Sequence, residues 1–280
     1  MKVSIYEVGP RDGLQSLEHP VDTKTKLQLI DALYKAGLTD IEETSFAHPR
    51  LVPQMADAED VYQQGSVLVM NKRGYDRAMS VGADKINIVF SPCDTFNIKN
   101  MGKTRSEIVL MYKTFMKIPK EKVRVYISMA FGSPYSGQVS PLTMQSCIKD
   151  AKMFGNTVVF ADTVGTGTKN EVTLWAEIAF DNNMTPALHL HHKGNEKEAL
   201  NLIKIGLLNG IKEFDSSIGG LGGCPFTENS GSNIATETLV RHFKAWGLDC
   251  GVKIADLEPA IIIAQKIARF EKESKELLSL

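Results

Sequence analysis

Short β-branched runs alternate with amphipathic helical runs almost without a break through the first 246 residues. The strand candidates are Val3–Val8, Asp40–Phe46, Ser66–Met70, Lys85–Phe90, Val123–Ser128, Thr157–Ala161, Ala187–His191 and Lys212–Ser216. The helix candidates are Lys24–Ala36, Val52–Gln63, Tyr75–Val81, Arg105–Lys117, Leu142–Phe154, Glu171–Phe180, Glu196–Leu208 and Asn233–Trp246. Strict alternation of β and α implies a parallel sheet. The strands lack a clean polar alternation, as expected when both sheet faces are covered. Two architectures meet these conditions, an open doubly wound sheet and a closed (β/α)8 TIM barrel. The open sheet would be favoured by a dinucleotide loop after the first strand. The nearest candidate, Gly165-Thr166-Gly167, follows the sixth strand and has Asn170 where the third glycine belongs, so it reads as a turn. Eight units favour closure, and 280 residues suit a barrel of typical size, about 250 residues. The expectation is one domain over residues 1–280, with residues 254–280 as a helical extension on the barrel's outside or on a partner subunit.

The balance of charge narrows the partners. A net charge of −1 gives no basic excess to attract nucleic acid or an anionic membrane. The longest apolar runs fall far short of a membrane span. The chain enters a strand pattern at Lys2 with no signal or transit pattern before it. Cys93, Cys147, Cys224 and Cys250 form no C-x-x-C pair and no disulfide framework. These features predict a cytoplasmic protein with reduced thiols.

A barrel places its chemistry at the C-terminal ends of the strands. Arg11 and Asp12 follow the first strand, Glu42 lies in the second, Ser128 ends the fifth, and Asp162 and Thr163 follow the sixth. His189 and His191 end the seventh strand, and Cys224 and Asn233 come after the eighth. These groups share one rim. His189 and His191, two apart on a strand, point to the same side. With Asp12 they make a set of two imidazoles and a carboxylate, suited to Mg2+ or Mn2+ if oxygen donors from Asn233, water and substrate complete it. No cysteine has structural-zinc spacing. Arg11 reads either as a structural ion pair with Asp12 or as a fixed cation for a developing oxyanion. Glu42 and Glu43 face opposite ways, so one points inward, as a supporting group or base or in a buried salt bridge. Cys224 ends Gly219-Gly220-Leu221-Gly222-Gly223 and precedes Pro225, which makes it a small turn residue or a thiol proton donor or nucleophile. Lys99, Lys103 and Arg105 mark a loop after the fourth strand, read as a solvated basic turn.

These residues resemble the 3-hydroxy-3-methylglutaryl-CoA lyase family. The resemblance is carried by Val8–Gln15, by Ile41–Phe46 with Val52–Met55, by Ser133–Gly137 and by Asp162–Gly165. It continues through Asp215–Ile218, the Gly219–Pro225 loop and Gly231–Glu237, from the first strand through the eighth helix. It implies a barrel of the metal-dependent lyase and Claisen-enzyme superfamily. Asp12, His189, His191 and Asn233 would be metal ligands, Arg11 would steady a thioester enolate, and Cys224 would take part in proton transfer. Glu42 would support the site, with His189 among the catalytic groups. Gln15, Ser45 and Thr163 would line the acyl pocket, and Asn100 would contact the acyl-CoA substrate. Homodimers are the implied assembly. The chain departs from the family at His192-Lys193-Gly194-Asn195, where the family carries Asp-Thr and Tyr-Gly after its H-x-H. That bears on substrate more than on reaction type, through ligand basicity and pocket shape. The leading expectation is cleavage of 3-hydroxy-3-methylglutaryl-CoA to acetyl-CoA and acetoacetate. The alternatives are another branched 3-hydroxyacyl-CoA, such as citramalyl-CoA, and a non-catalytic acyl-CoA-binding barrel.

Overall fold

The computed structural model describes residues 1–222 and 231–278. Eight parallel strands carry the barrel: β1 (Ser4–Glu7), β2 (Asp40–Ser45), β3 (Ser66–Leu68), β4 (Lys85–Phe90), β5 (Val123–Ser128), β6 (Thr157–Asp162), β7 (Thr185–His192) and β8 (Glu213–Ser216). Each pairs with its neighbour in sequence, β1 also pairs with β8, and β6 pairs with β7, so the sheet closes. A two-residue strand, β9 (Ser232–Asn233), adds antiparallel to the end of β7, with Asn233 opposite His191.

The helices are α1 (Thr23–Lys35), α2 (Ala58–Val61), α3 (Lys72–Ser80), α4 (Asp94–Met101), α5 (Arg105–Phe115), α6 (Pro141–Ala151), α7 (Lys169–Asp181), α8 (Glu196–Leu208), α9 (Thr236–Ala245) and α10 (Glu258–Leu278). Their apolar stripes meet the outer face of the sheet. In α1, Leu29, Ile30 and Leu33 are fully buried, and the Asp22 carboxylate caps the helix by accepting the Thr25 N–H at 3.0 Å. Thr104 with Glu107 and Thr168 with Glu171 form reciprocal capping boxes at the starts of α5 and α7. The extension, α10, packs on the outside against α1. Its Glu271 accepts the backbone N–H of Glu18 at 2.8 Å, tying it to the segment that follows the β1 turn.

Three expectations change. The stretch Val52–Gln63 is not one helix: a 3-10 turn over Pro53–Met55 precedes the short α2. A helix, α4, occupies what read as a loop after β4. Asn233 belongs to β9, and the following helix begins at Thr236. The glutamate pair faces opposite ways, as expected: Glu42 turns inward, whereas Glu43 takes the Tyr34 hydroxyl at 2.6 Å in the helix layer.

Candidate active site

The turn after β1 is wound tightly around one carbonyl. Val8 O accepts the N–H groups of Arg11, Asp12 and Gly13 at 3.1, 2.7 and 3.2 Å. Pro10 presets the first turn. The winding turns the Arg11 and Asp12 side chains toward the barrel mouth. Arg11 donates from Nη1 to Asp12 Oδ1 at 2.8 Å and from Nε to Glu42 Oε2. Glu42 is fully buried on β2, and its other oxygen accepts the Asn87 amide at 2.7 Å. Both Glu42 oxygens are therefore occupied, which makes it a brace for Arg11. Burial opposes ionisation of Asp12, but Arg11 and the two histidines outweigh it and hold the carboxyl well below its ordinary range.

His189 and His191 both turn inward from β7, and Leu190 between them is buried. Their Nε2 atoms lie 3.0 Å apart, and each is 3.9 Å from Asp12 Oδ2. His189 Nδ1 meets Asp215 Oδ2 at 3.2 Å, so the carboxylate holds the Nδ1–H tautomer and leaves the Nε2 lone pair facing the mouth. Burial works against a charged His189, yet Asp215 and Asp12 raise its pKa above the ordinary value. His191 Nδ1 is buried without a hydrogen-bond partner, so His189 is the more firmly oriented of the two.

Asp215 is itself held from across the barrel. Arg124 on β5 donates to Asp215 Oδ1 at 2.7 Å and to Glu213 Oε2 at 2.6 Å. Tyr126 donates its hydroxyl to Asp215 Oδ2 at 2.7 Å. The Arg124 guanidinium also lies 3.7 Å above the Tyr6 ring. The Tyr6 hydroxyl joins Ser66 and Asn87, and Asn87 is the residue that braces Glu42. Arg124 thus stands under both supports of the site, His189 through Asp215 and Arg11 through Asn87 and Glu42. The expected set did not include Arg124, Asp215 or Asn87. The signal was present, because a charged or amide side chain in the middle of Val-Arg-Val-Tyr-Ile or Lys-Ile-Asn-Ile must find a buried polar partner.

Asn233 reaches the site through β9. Its amide nitrogen donates to Asp12 Oδ2 at 2.9 Å and to Leu221 O at 3.0 Å. Gly222 packs on the same spot: with φ at +112°, a Cβ there would sit 2.6 Å from Asn233 Nδ2 and 3.2 Å from Asp12 O.

A cavity opens above these groups. Arg11, Asp12, Gln15, His189 and His191 line it from the β7–β8–β1–β2 half of the barrel. Leu68, Met70, Val89, Phe96 and Ala161 line it from the β3–β6 half, with Tyr126, Ser128, Thr163 and Asn100 among them. The structure therefore brings Arg11, Asp12, Glu42, His189, His191 and Asn233 together and puts Gln15, Thr163 and Asn100 in the wall. Ser45 is elsewhere: it is fully buried on β2, with its hydroxyl accepting the Ala47 N–H at 3.2 Å. Cys224 lies outside the described residues. Asp162 is spent on the turn after β6, accepting the N–H groups of Thr166 and Gly167 at 2.9 and 2.8 Å, so that glycine pair wraps a carboxylate. The three basic residues after β4 do not act as a cluster. Arg105 bonds Ser146 at 2.9 Å and pairs with Asp150 at 3.3 Å, and Lys99 lies 4.3 Å over the Tyr135 ring. At the family departure, His192 is half-buried and Lys193 exposed.

Asp12, His189 and His191 fit a divalent cation. Their ligand atoms all lie within 4.8 Å of one another. Two inward imidazole nitrogens and a carboxylate oxygen, with room left on the cavity side, are the donor set such an ion takes.

Comparison with known proteins agrees with this geometry. The HMGL-like family model matches residues 2–261. The mitochondrial hydroxymethylglutaryl-CoA lyase of Rattus norvegicus is 34% identical over 281 aligned positions, covering 96% of this chain and 86% of that protein. The crystal structure of hydroxymethylglutaryl-CoA lyase from Pseudomonas aeruginosa superposes with a TM-score of 0.88 at 30% identity, covering 95% of this chain and 93% of the other. An HMG-CoA lyase from Acinetobacter baumannii, solved with coenzyme A and 3-methylmalate, gives a TM-score of 0.83 at 26% identity, covering 97% and 92%.

Proposed function

The chain belongs to the HMGL-like family, and from that premise we propose a divalent-metal-dependent carbon–carbon lyase that cleaves 3-hydroxy-3-methylglutaryl-CoA to acetyl-CoA and acetoacetate. The observation that carries this reading is the convergence of Asp12, His189 and His191 beside an Arg11 that Glu42 and Asp12 hold in place. Hydroxymethylglutaryl-CoA lyases that align along nearly the whole chain support the reaction, and the neighbour solved with coenzyme A supports an acyl-CoA substrate.

Asp12, His189, His191 and, with its amide turned to offer oxygen, Asn233 would hold the ion. We assign Mg2+ or Mn2+, because the set offers carboxylate, imidazole and amide oxygen without a thiolate among the described residues. When bound there, such an ion supplies Lewis-acid polarisation of the substrate's oxygens. The protein's own groups do the rest. A base at the site takes the proton of the C3 hydroxyl. With Nε2 given to the ion and Nδ1–H to Asp215, His189 has no lone pair left for that proton and would serve to orient the ion. The C2–C3 bond then breaks. Its electron pair moves onto C2 and the thioester oxygen, C3 becomes the ketone carbon of acetoacetate, and the Arg11 guanidinium offsets the enolate charge. Proton delivery to C2 completes acetyl-CoA, and Cys224 is the thiol we assign to it. Gln15, Thr163 and Asn100 would orient the acyl chain from the cavity wall.

We read the protein as a cytoplasmic homodimer. Cys93, Cys147 and Cys250 are free thiols, and Ile262 and Phe270 of α10 stay 42% and 59% exposed in the single chain. Among the described residues no helix is long and apolar enough to cross a membrane.

The test is a panel of CoA thioesters, including 3-hydroxy-3-methylglutaryl-CoA and citramalyl-CoA, supplied with Mg2+ or Mn2+ and followed by mass spectrometry of both products. Acetyl-CoA with acetoacetate is the expected pair. Cleavage of another thioester in preference removes the substrate assignment. Binding without cleavage of any member leaves only an acyl-CoA-binding barrel.

A further inference from the structure

Glu7, the last residue of β1, is fully buried, and among the described residues the groups acting on it are neutral hydrogen-bond donors and the like charge of Glu237. Burial pushes its pKa up to about 7, and the hydrogen bonds keep it from rising further. An isolated buried carboxylate is costly to keep unless its lone pairs are taken up. Here three donors take them. Gly9 N–H meets Oε1 at 2.7 Å, Ile218 N–H meets the same oxygen at 2.9 Å, and the Thr236 hydroxyl meets Oε2 at 2.5 Å. The fit leaves no slack, since a Cβ on Gly9 would lie 2.6 Å from Oε1 and 3.2 Å from Ile218 N.

Each donor begins a stretch that carries part of the site. Gly9 opens the turn that presents Arg11 and Asp12. Ile218 opens the glycine-rich run to Leu221, whose carbonyl receives the Asn233 amide. Thr236 starts α9, three residues after Asn233. Asp12 and Asn233 are 221 positions apart in sequence and bond at 2.9 Å. From this we infer that Glu7 is a positioning residue: its carboxylate clamps the roots of three segments and so sets Asp12 and Asn233 at the distance from each other that the cation needs. The histidines are fixed separately, through β7 and Asp215, so Glu7 governs one half of the ligand set. Any buried carboxylate needs donors, but core packing alone would not draw them from the roots of three segments that each carry part of the site.

The inference rests on the metal reading of the site, and the experiment separates the two. The probe is Mn2+ alone, titrated into the whole protein and followed by the electron paramagnetic resonance of the free ion. In Glu7→Gln the oxygen that accepts the Thr236 hydroxyl becomes an amide nitrogen, which can only donate. Mn2+ affinity should fall about tenfold or more in protein that is still folded, amide exchange at Gly9 and Ile218 should quicken, and the His189 Nδ1–H resonance should stay in place. Thr236→Val removes a single arm and should weaken Mn2+ by about threefold. Wild-type Mn2+ affinity in both variants overturns the inference. If Glu7→Gln does not fold, an unchanged affinity in Thr236→Val overturns it alone. Should wild-type protein take up no Mn2+, or Asp12→Ala bind it as tightly as wild type, the metal reading falls and takes this inference with it.

Discussion

The two halves of the cavity are built on different principles. In the β7–β8–β1–β2 half the wall is mostly charged or titratable, and three of its groups are fixed by side chains behind or beside them: Arg11 by Glu42, His189 by Asp215, Asp12 by Arg11 and Asn233. In the β3–β6 half, Leu68, Met70, Val89, Phe96 and Ala161 present apolar surface held by packing, and no charged group stands among the described wall residues, whose polar members are Tyr126, Ser128, Thr163 and Asn100. Directional bonds hold atoms to the precision that chemistry needs, whereas apolar contact decides which shape is accepted. In the proposed function, position on the barrel separates reaction from selectivity.

The largest break in that contrast should come from Arg11→Met. It removes the cation facing the cavity and leaves Glu42 buried with only Asn87. Turnover should drop by about 100- to 1,000-fold, and thermal unfolding should move down as well, because one partner of a buried ion pair has been removed. Metal content by elemental analysis should stay close to wild type; an active Arg11→Met protein would remove the enolate role. Arg124→Met comes next. Arg124 lines no part of the reaction cavity, yet it holds Asp215 and stacks on Tyr6. Its loss should weaken divalent-metal binding by about 10- to 100-fold, with partial recovery in Arg124→Lys, measured by calorimetric titration. The smallest effect belongs to the apolar half: Met70→Ala should change the ranking of thioesters in kcat/KM by about tenfold while metal affinity stays put. A large loss of metal in that variant would dissolve the contrast between the halves.

The same division decides what could be read from residues alone. The barrel was legible because eight short strand runs alternate with helical runs, most of which carry clear stripes or caps. Arg11, Asp12, His189 and His191 were legible because adjacency and two-residue spacing on a strand are local facts. The helix α4 was missed because Asp-Thr-Phe-Asn-Ile-Lys-Asn-Met shows no apolar stripe, with only Phe96 and Asn97 buried; the glycine that ends it, Gly102 at φ +68°, was the available cue. Pro53 was the corresponding cue for the break in Val52–Gln63. Arg124, Asp215 and Glu7 could be flagged as polar residues in strands, but their partners lie 89 to 229 positions away for the bonds to Glu213 and Thr236, and only closure of the barrel brings them together. Asn233 reads as the start of a helix and lies instead in β9, because that strand exists only by pairing with β7.

That pairing has a consequence for how such a protein can diverge. Residues opposite one another in a ladder keep their facing only while the count between them is unchanged, and a slip of one reverses every side chain. Gly231 lies so close to the His192 backbone that a Cβ would overlap its carbonyl oxygen, so it marks where the ladder begins to be enforced. Insertions and deletions before Gly231 alter the reach of the connecting segment without changing the phase of Asn233. One residue added between Gly231 and Asn233 would aim that amide at the helices. Length variation among descendants should therefore collect on one side of a single glycine.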